Sequence, residues 1–361
     1  MVKKQPPKKQ PPSKKPPPPS PDAPPPIDPQ SLKHQQRILT LFSDAFNPVL
    51  SSDSFAAVLQ SIKQALFNRD FAAAFGSEEN LQTYAARWSP TRALCYASVF
   101  KDISQHMDDI AQDEPTSVEN PSSDAHSRKI IKMLSIGGCA AEHVALASHL
   151  HQTHSSGRLA LLDAAPWANV VALLQEHVTS PPPLSRYASA SIKAANTPLL
   201  ERGQLSAVFS QNDVLDLDKE ALRELLGEEP LTVTLLFTLN ELYANGGIGK
   251  TTKFLKLLGE IIPDRSLLLV MDSPGSYSEA AVGKEKKRYP MQWLLDHTLV
   301  DPVVASRAYE WEKLESHDSM WFRLPDGLSY PIQLENMRYQ MHLYQRRSTS
   351  PAEQIYSKRG A

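Results

Sequence analysis

The sequence predicts an α/β fold built on a parallel sheet, and three observations carry that expectation. Residues Lys129 to Pro166 read as strand, glycine turn, helix, strand and acid, which is half of a nucleotide-binding α/β unit. The run Leu231–Leu239 is nearly all apolar or β-branched, as a central parallel strand covered on both faces must be. Around these two segments, apolar runs of strand length alternate with stretches of helical period.

Composition bounds the rest. The 361 residues suffice for one large domain or two. The net charge of −2 hides a split: Lys3, Lys4, Lys8, Lys9, Lys14 and Lys15 stand against Asp22 and Asp28 in residues 1–30, a local +4 that leaves −6 for the remainder. Cys95 and Cys139 are the only cysteines, which argues against a disulfide framework and a cysteine zinc site. No apolar run reaches transmembrane length, and the N-terminus lacks the apolar core of a signal peptide. A soluble intracellular protein is expected.

Taken in order, residues 1–30 hold 13 prolines and little to bury. They are expected to be a disordered tail with polyproline II character, its lysines either a nuclear-import or RNA-touching arm or a solvated tail. Residues 31–105 read as helical: Leu39, Leu41, Phe42 and Phe46 recur at helical spacing, as do Phe55, Val58, Leu59, Ile62 and Leu66. In Asn80–Leu94, the aromatics Tyr84 and Trp88 read as core, and Arg87 and Arg92 stand out just before the α/β half. Residues 106–127, acidic and rich in Ser, Pro and Asn, read as a linker. The α/β domain is expected over 128–346, with a second disordered tail at 347–361.

Within that domain, strand Ile130–Ile136 runs into the turn Gly137-Gly138-Cys139-Ala140-Ala141, a helix from Glu142 to about Leu150, and strand Leu159–Leu162 closing on Asp163. Glycine admits close backbone approach, and the helix start offers free N–H groups and a positive dipole end. Asp163 stands where an acid accepts two hydrogen bonds from a ribose diol. The turn is not G-x-G-x-x-G, however, and Glu142 would repel a pyrophosphate. A carboxylate there suits the ammonium of an amino acid that carries an adenosine, namely S-adenosylmethionine. The alternative is an ordinary β-turn-α unit with an incidental Asp163.

Further along, Trp167 either leans on an adenine or packs, before a helix at Ala168–His177 and a connector over 178–200. Strand Leu205–Ser210 ends near Asp213 and Val214, an acid for the adenine amino group and an apolar clamp for its ring. Helix Asp218–Leu226 stops at Gly227. The central strand ends at Asn240-Glu241-Leu242-Tyr243, at the edge where open α/β sheets bind ligands. In spacing alone this resembles the Asn-Pro-Pro-Tyr loop of amino-group methyltransferases, where a polar side chain holds the target nitrogen and a ring stacks the base. Helix Thr251–Ile262, strand Ser266–Met271 with Asp272 at its end, a basic run at Lys284, Lys286, Lys287 and Arg288, helices Gln292–Leu299 and Pro302–Leu314, and strands Ser319–Leu324 and Arg338–Tyr344 complete the chain.

One motif competes. Ala244 to Thr251 satisfies a loose P-loop pattern, with Asn245 where deviant P-loops keep a second lysine, and Leu267–Asp272 poses as the magnesium strand. Against an ATPase stand the long bridge Asn240–Asn245, the earlier strands, and the roughly 110 residues that remain.

The segments Leu134–Gly138, Leu162-Asp163, Thr238–Tyr243, Ile248–Thr252, Met271–Tyr277, Tyr289–Leu295 and Leu334–Tyr339 together resemble the fungal large-subunit ribosomal RNA uridine-N3 methyltransferases, from about Leu81 to Tyr344. The glycine turn departs from that family's glycine-rich form at Cys139-Ala140-Ala141. The resemblance implies a class I, Rossmann-like sheet of seven strands with the last antiparallel, S-adenosylmethionine as cofactor, and ribosomal RNA or a pre-ribosomal particle as partner. It implies the nucleus or nucleolus, with the cytoplasm as alternative, and makes the Gly249-Lys250-Thr251-Thr252 run a helix start. A monomer without metal or membrane is expected. Residue roles come from strand-end position: Glu241 or Asp272 as the base that takes the N3 proton, Asn240 and Tyr243 as groups that hold the uracil, and Gly137, Gly138, Glu142, Asp163, Asp213, Val214 and Asn240 around the cofactor. The third reading is a methyltransferase-like fold that binds RNA without catalysis.

Overall fold

Helix α1 (Pro29–Ala45) opens the structure because Asp28 caps it, accepting the Ser31 N–H at 3.0 Å, with proline in the first turn. In this computed structural model the described residues are 28–113, 128–275, 277–282, 285–301 and 308–349. Most of the expected tails and of the expected linker falls outside them, while residues 29–30 belong to α1 and 347–348 to the last strand. Short helices α2 (Asn47–Leu50), α3 (Phe55–Phe67) and α4 (Phe71–Phe75) lead to α5 (Glu78–Asp102). The expected linker starts late, because residues 104–110 form α6 (Ser104–Ile110) with Met107 and Ile110 buried, followed by β1 (Gln112–Asp113).

Helix α5 runs through Pro90. A proline inside a helix leaves the carbonyl four residues back without its N–H. That carbonyl belongs to Ala86, and the Tyr330 hydroxyl donates to it at 2.8 Å. The far end of the chain thus repairs the break and ties α5 to the sheet edge.

The α/β half follows in order: β2 (Lys129–Ile136), α7 (Ala141–Thr153), β3 (Ser156–Asp163), α8 (Ala168–Thr179), α9 (Ala190–Ala194), β4 (Leu205–Gln211), α10 (Lys219–Leu226), β5 (Thr232–Leu236), a turn α11 (Leu239–Glu241), a π-helical turn (Leu242–Gly246), α12 (Gly247–Ile261), β6 (Leu267–Asp272), the hairpin β7 (Tyr277–Val282) and β8 (Glu285–Pro290), α13 (Met291–Leu299), β9 (Tyr309–Phe322) and β10 (Met337–Ser348). The sheet order is β4-β3-β2-β5-β6-β10-β9, with β1 pairing β2 off that path. Strands β2 to β6 are parallel, and β10 enters antiparallel between β6 and β9. This is the class I methyltransferase sheet, and the expected antiparallel last strand is β10.

One strand expectation and one helix expectation need correction. The central strand stops at Leu236 rather than Leu239, because Phe237 turns into the left-handed region. The helix expected over Pro302–Leu314 is wrong where the structure describes it. From Tyr309 on, the chain is strand, with Tyr309 and Trp311 buried and Glu310 and Glu312 exposed; that alternation is the period-two signal of an edge strand. The β7–β8 hairpin also lies where only a basic loop was expected, and the Lys284 part of that run lies outside the described residues.

The sheet divides the core in two. On one face α1, α5, α7 and α8 share a single apolar cluster with the strands, running from Phe42, Tyr96 and Phe100 to Val144, Leu159 and Met341. On the other, Leu222, Leu255, Leu258 and Leu295 from α10, α12 and α13 pack on Val233, Leu235 and Val270. The helical N-terminal region therefore packs into the sheet's own core.

Candidate active site at the carboxyl ends of the strands

The glycine turn after β2 is shaped by the protein's own side chains. Gly137 sits at φ 75°, a conformation glycine adopts without strain, and its N–H donates to Leu162 O at 2.8 Å. A Cβ on Gly137 would strike the Thr238 side chain, and one on Gly138 would strike the Glu142 carboxylate. The room that the sequence suggested for a ligand's approach is thus filled by Thr238 from beyond β5 and by Glu142 from α7. Ser135 Oγ closes the turn by donating to Gly138 O at 3.0 Å.

Glu142 lies in the first turn of α7, 4% exposed. Burial pushes its carboxyl up to about 7, opposed by its own backbone N–H and by Arg92, and reinforced by Asp163. Asp163 is pushed up to about 6, first by burial and then by Asp213, against hydrogen bonds from Ala165 and Trp167; the Ala165 N–H donates to Oδ1 at 2.8 Å. Asp213 is exposed and accepts the Leu215 N–H at 2.9 Å, while Val214 beside it is buried. Trp167 is buried and its ring packs 5.9 Å from those of Phe75 and Tyr84, so it is a packing residue.

At the end of β5, Phe237 takes φ 60° with its N–H on Met271 O at 2.7 Å. A left-handed non-glycine residue costs about 1–2 kcal/mol, and such strain gathers where structure serves function. Asp272 then pins the next turn: Oδ2 accepts the Asn240 N–H at 3.0 Å and Oδ1 accepts the Ser273 N–H at 2.8 Å. With both oxygens engaged and the residue 4% exposed, Asp272 positions the loop. Asn240 Oδ1 and Glu241 Oε2 are buried acceptors with no hydrogen-bond partner among the described residues. An unmet buried acceptor costs about 1–3 kcal/mol, which a ligand's donors would recover. Tyr243 requires a correction: it is 1% exposed and its ring lies inside the apolar cluster of α12 and α13, so it presents no face to a base.

Helix α5 adds a wall in which Tyr84 and Trp88, expected as core, stand beside Arg92. Tyr84, Trp88, Arg92 and Tyr96 recur every four residues, which aligns them on one helix face. Arg92 donates to the Tyr84 hydroxyl at 2.5 Å, and its guanidinium lies 5.5 Å from the Tyr84 ring and 5.6 Å from that of Phe237. Tyr84 and Trp88 rings lie 4.7 Å apart. The four-residue repeat was the available signal. It sets an arginine within electrostatic reach of the buried Glu142, and a guanidinium and a carboxylate complement a zwitterionic amino-acid head. With Asp163, this pair fits an adenosine-bearing amino acid.

The competing P-loop does not form. Residues 242–246 are a π-helical turn that runs directly into α12, so their backbone closes helical bonds instead of cradling phosphates. Lys250 is exposed and pairs with Asp216 at 3.5 Å. Among the described residues no helix is long and apolar enough to cross a membrane, and no group of three or more His, Cys, Asp or Glu is arranged to hold a metal.

Comparison with known proteins bears on the family. The chain is 29% identical over 309 residues to the 25S rRNA (uridine(2843)-N(3))-methyltransferase of Saccharomyces cerevisiae, a match covering 79% of this chain and 76% of the yeast protein. Among solved structures, the N-methyltransferase NodS from Bradyrhizobium japonicum WM9, in complex with S-adenosyl-L-homocysteine, matches at 9% identity and TM-score 0.34, covering 74% of this chain and 96% of that one. The 16S rRNA (adenine(1408)-N(1))-methyltransferase from Catenulisporales acidiphilia matches at 10% identity and TM-score 0.33, covering 61% of this chain and 89% of that one. The family model described as "Putative SAM-dependent methyltransferase" matches residues 42–345. The chain is a methyltransferase of this S-adenosylmethionine-dependent family.

Proposed function

We propose that the protein methylates N3 of a uridine in large-subunit ribosomal RNA, acting in the nucleus or nucleolus. The observation that carries this reading is the pair of unmet buried acceptors, Asn240 Oδ1 and Glu241 Oε2, at the strand end beside the glycine turn. Uracil presents an N–H at N3, and two acceptors can receive and orient it. The yeast relative's name, a 25S rRNA uridine-N3 methyltransferase, supports the choice of substrate.

S-adenosylmethionine supplies an electrophilic methyl group on a sulfonium. In this reading Glu142 and Arg92 hold the amino-acid head, Asp163 takes the ribose hydroxyls, and Asp213 with Val214 borders the adenine. Asn240 orients the uracil edge, and its backbone is fixed by Asp272. Glu241 accepts the N3 proton, because a protonated N3 is a poor nucleophile. Holding donor and base in line supplies much of the rate, and the base adds about 10²–10⁴-fold.

The test is nucleoside analysis of large-subunit RNA from cells with and without the protein. Loss of one N3-methyluridine on removal is the expected result. An unchanged content of that nucleoside would sink the proposal.

A further inference from the structure

The edge hairpin carries an aromatic–arginine cluster that the methyl-transfer chemistry does not use. Trp321 is 54% exposed. The Arg323 guanidinium lies 5.4 Å from its ring centroid and that of Arg338 5.7 Å. Arg338 faces Trp321 directly across the β9–β10 ladder, and its Nε donates to Ser319 Oγ at 2.9 Å. Both arginines are exposed, and among the described residues neither joins an ion pair. At the other end of the same hairpin Arg346 pairs with Asp264 and Arg347 with Glu312, each at 2.9 Å. Free guanidiniums are thus confined to one end.

That end is the rim of the candidate site. Gln340, two residues after Arg338, pairs with Asp272 in the β10–β6 ladder and donates to Ser273 O at 2.8 Å. Residues two apart on a strand share a face at about 7 Å. Asp272 in turn holds the Asn240 backbone. One continuous ladder therefore connects the cluster to the loop proposed to hold the uracil.

We propose that Trp321, Arg323 and Arg338 form a docking platform for single-stranded RNA beside the target nucleotide. A flanking base stacks on the indole, and neighbouring phosphates meet the two free guanidiniums. This proposal rests on RNA being the substrate. The chemistry favours RNA over a protein partner because the cluster pairs a half-exposed indole with two guanidiniums that join no ion pair among the described residues.

The test uses the full chain, a fluorescein-labelled 12-nucleotide single-stranded RNA containing uridine for binding, and deproteinised large-subunit RNA for methyl transfer. Trp321→Ala should weaken RNA binding roughly 5- to 100-fold, and Trp321→Phe should restore most of it. The double variant Arg323→Ala/Arg338→Ala should reduce the slope of log affinity against log salt by about 1.4. The RNA KM should rise while kcat at saturating RNA, the donor KM and the melting temperature hold. Wild-type RNA affinity in Trp321→Ala with an unaltered salt slope in the double variant would overturn the platform and leave this face to a protein partner. Wild-type protein that neither binds nor methylates RNA would overturn the substrate reading, and this proposal with it.

Discussion

At the ends of β2, β3 and β4, the acids already have hydrogen-bond donors. Glu142 accepts its own backbone N–H, Asp163 that of Ala165, and Asp213 that of Leu215. Across the site, at the end of β5, Asn240 Oδ1 and Glu241 Oε2 have none among the described residues. The first side is set before a ligand arrives, as suits a cofactor that every turnover uses. The second side keeps acceptors unmet, as suits a substrate edge that brings an N–H, the one at uracil N3. Strain follows the same division, with Phe237 in the left-handed region on the β5 side.

The largest expected effect comes from breaking the unmet side. Glu241→Gln should cut single-turnover methyl transfer to large-subunit RNA by about 10²–10⁴-fold, with partial recovery at higher pH, where N3 loses its proton unaided. Full activity in that variant would remove Glu241 as the base.

This difference also explains what was legible in the sequence. Most of the cofactor side, apart from Arg92, Asp213 and Val214, is one continuous stretch, Lys129 to Pro166, in which strand, turn, helix and acid follow in order, and the structure reproduces that order. The β5 side is assembled from distant segments. Tyr243 looked like a stacking ring because its spacing from Asn240 matched a known loop. Spacing does not reveal the π-helical turn at Leu242–Gly246, in which Tyr243 is turned into the core. Arg92 lies in a helix whose aromatics look like ordinary core, and only packing of α5 on α7 brings it to Glu142. Asp272 read as a base because it ends a strand, and nothing local reveals that two backbone N–H groups occupy it.

On the cofactor side, Asp163→Ala removes charge-assisted hydrogen bonds and should weaken donor binding by about 1.5–3 kcal/mol, while the melting temperature is kept. An unchanged donor dissociation constant would take Asp163 out of the site.

The α5 wall spans both sides, so its support is a further test. Tyr330→Phe strips the donor from Ala86 O at the Pro90 break and should cost about 1–3 kcal/mol of stability, read by denaturant unfolding. A stability equal to wild type would show that the carbonyl finds another partner.

Glu142 predicts a pH dependence. Its folded value of about 7 lies above the unfolded 4.5, so the ligand-free protein holds the extra proton between these values and loses stability as pH rises through that window. Donor binding needs the charged form. Affinity should therefore be greatest above pH of about 7 and fall up to tenfold per unit below it. Glu142→Gln should flatten this contribution to both curves, and calorimetry across pH checks it. A donor affinity equally steep in the variant would assign the titration elsewhere, with Asp163 next in line.

The smallest effect belongs to Lys250. Its pair with Asp216 is exposed on both sides, and such pairs are worth about 0–1 kcal/mol. Lys250→Ala should leave donor affinity, turnover and melting temperature near wild type. ATP binding by the wild type that vanishes in this variant would revive the nucleotide site that the π-helical turn argues against.

The most direct test of the division between the two sides is the donor dissociation constant of Glu241→Gln, measured by calorimetry beside that of Asp163→Ala in the same buffer. The account predicts wild-type donor affinity in Glu241→Gln, with its defect confined to methyl transfer, and weakened affinity in Asp163→Ala. Donor binding lost equally in both variants would contradict it, because one shared pocket would then serve cofactor and substrate alike.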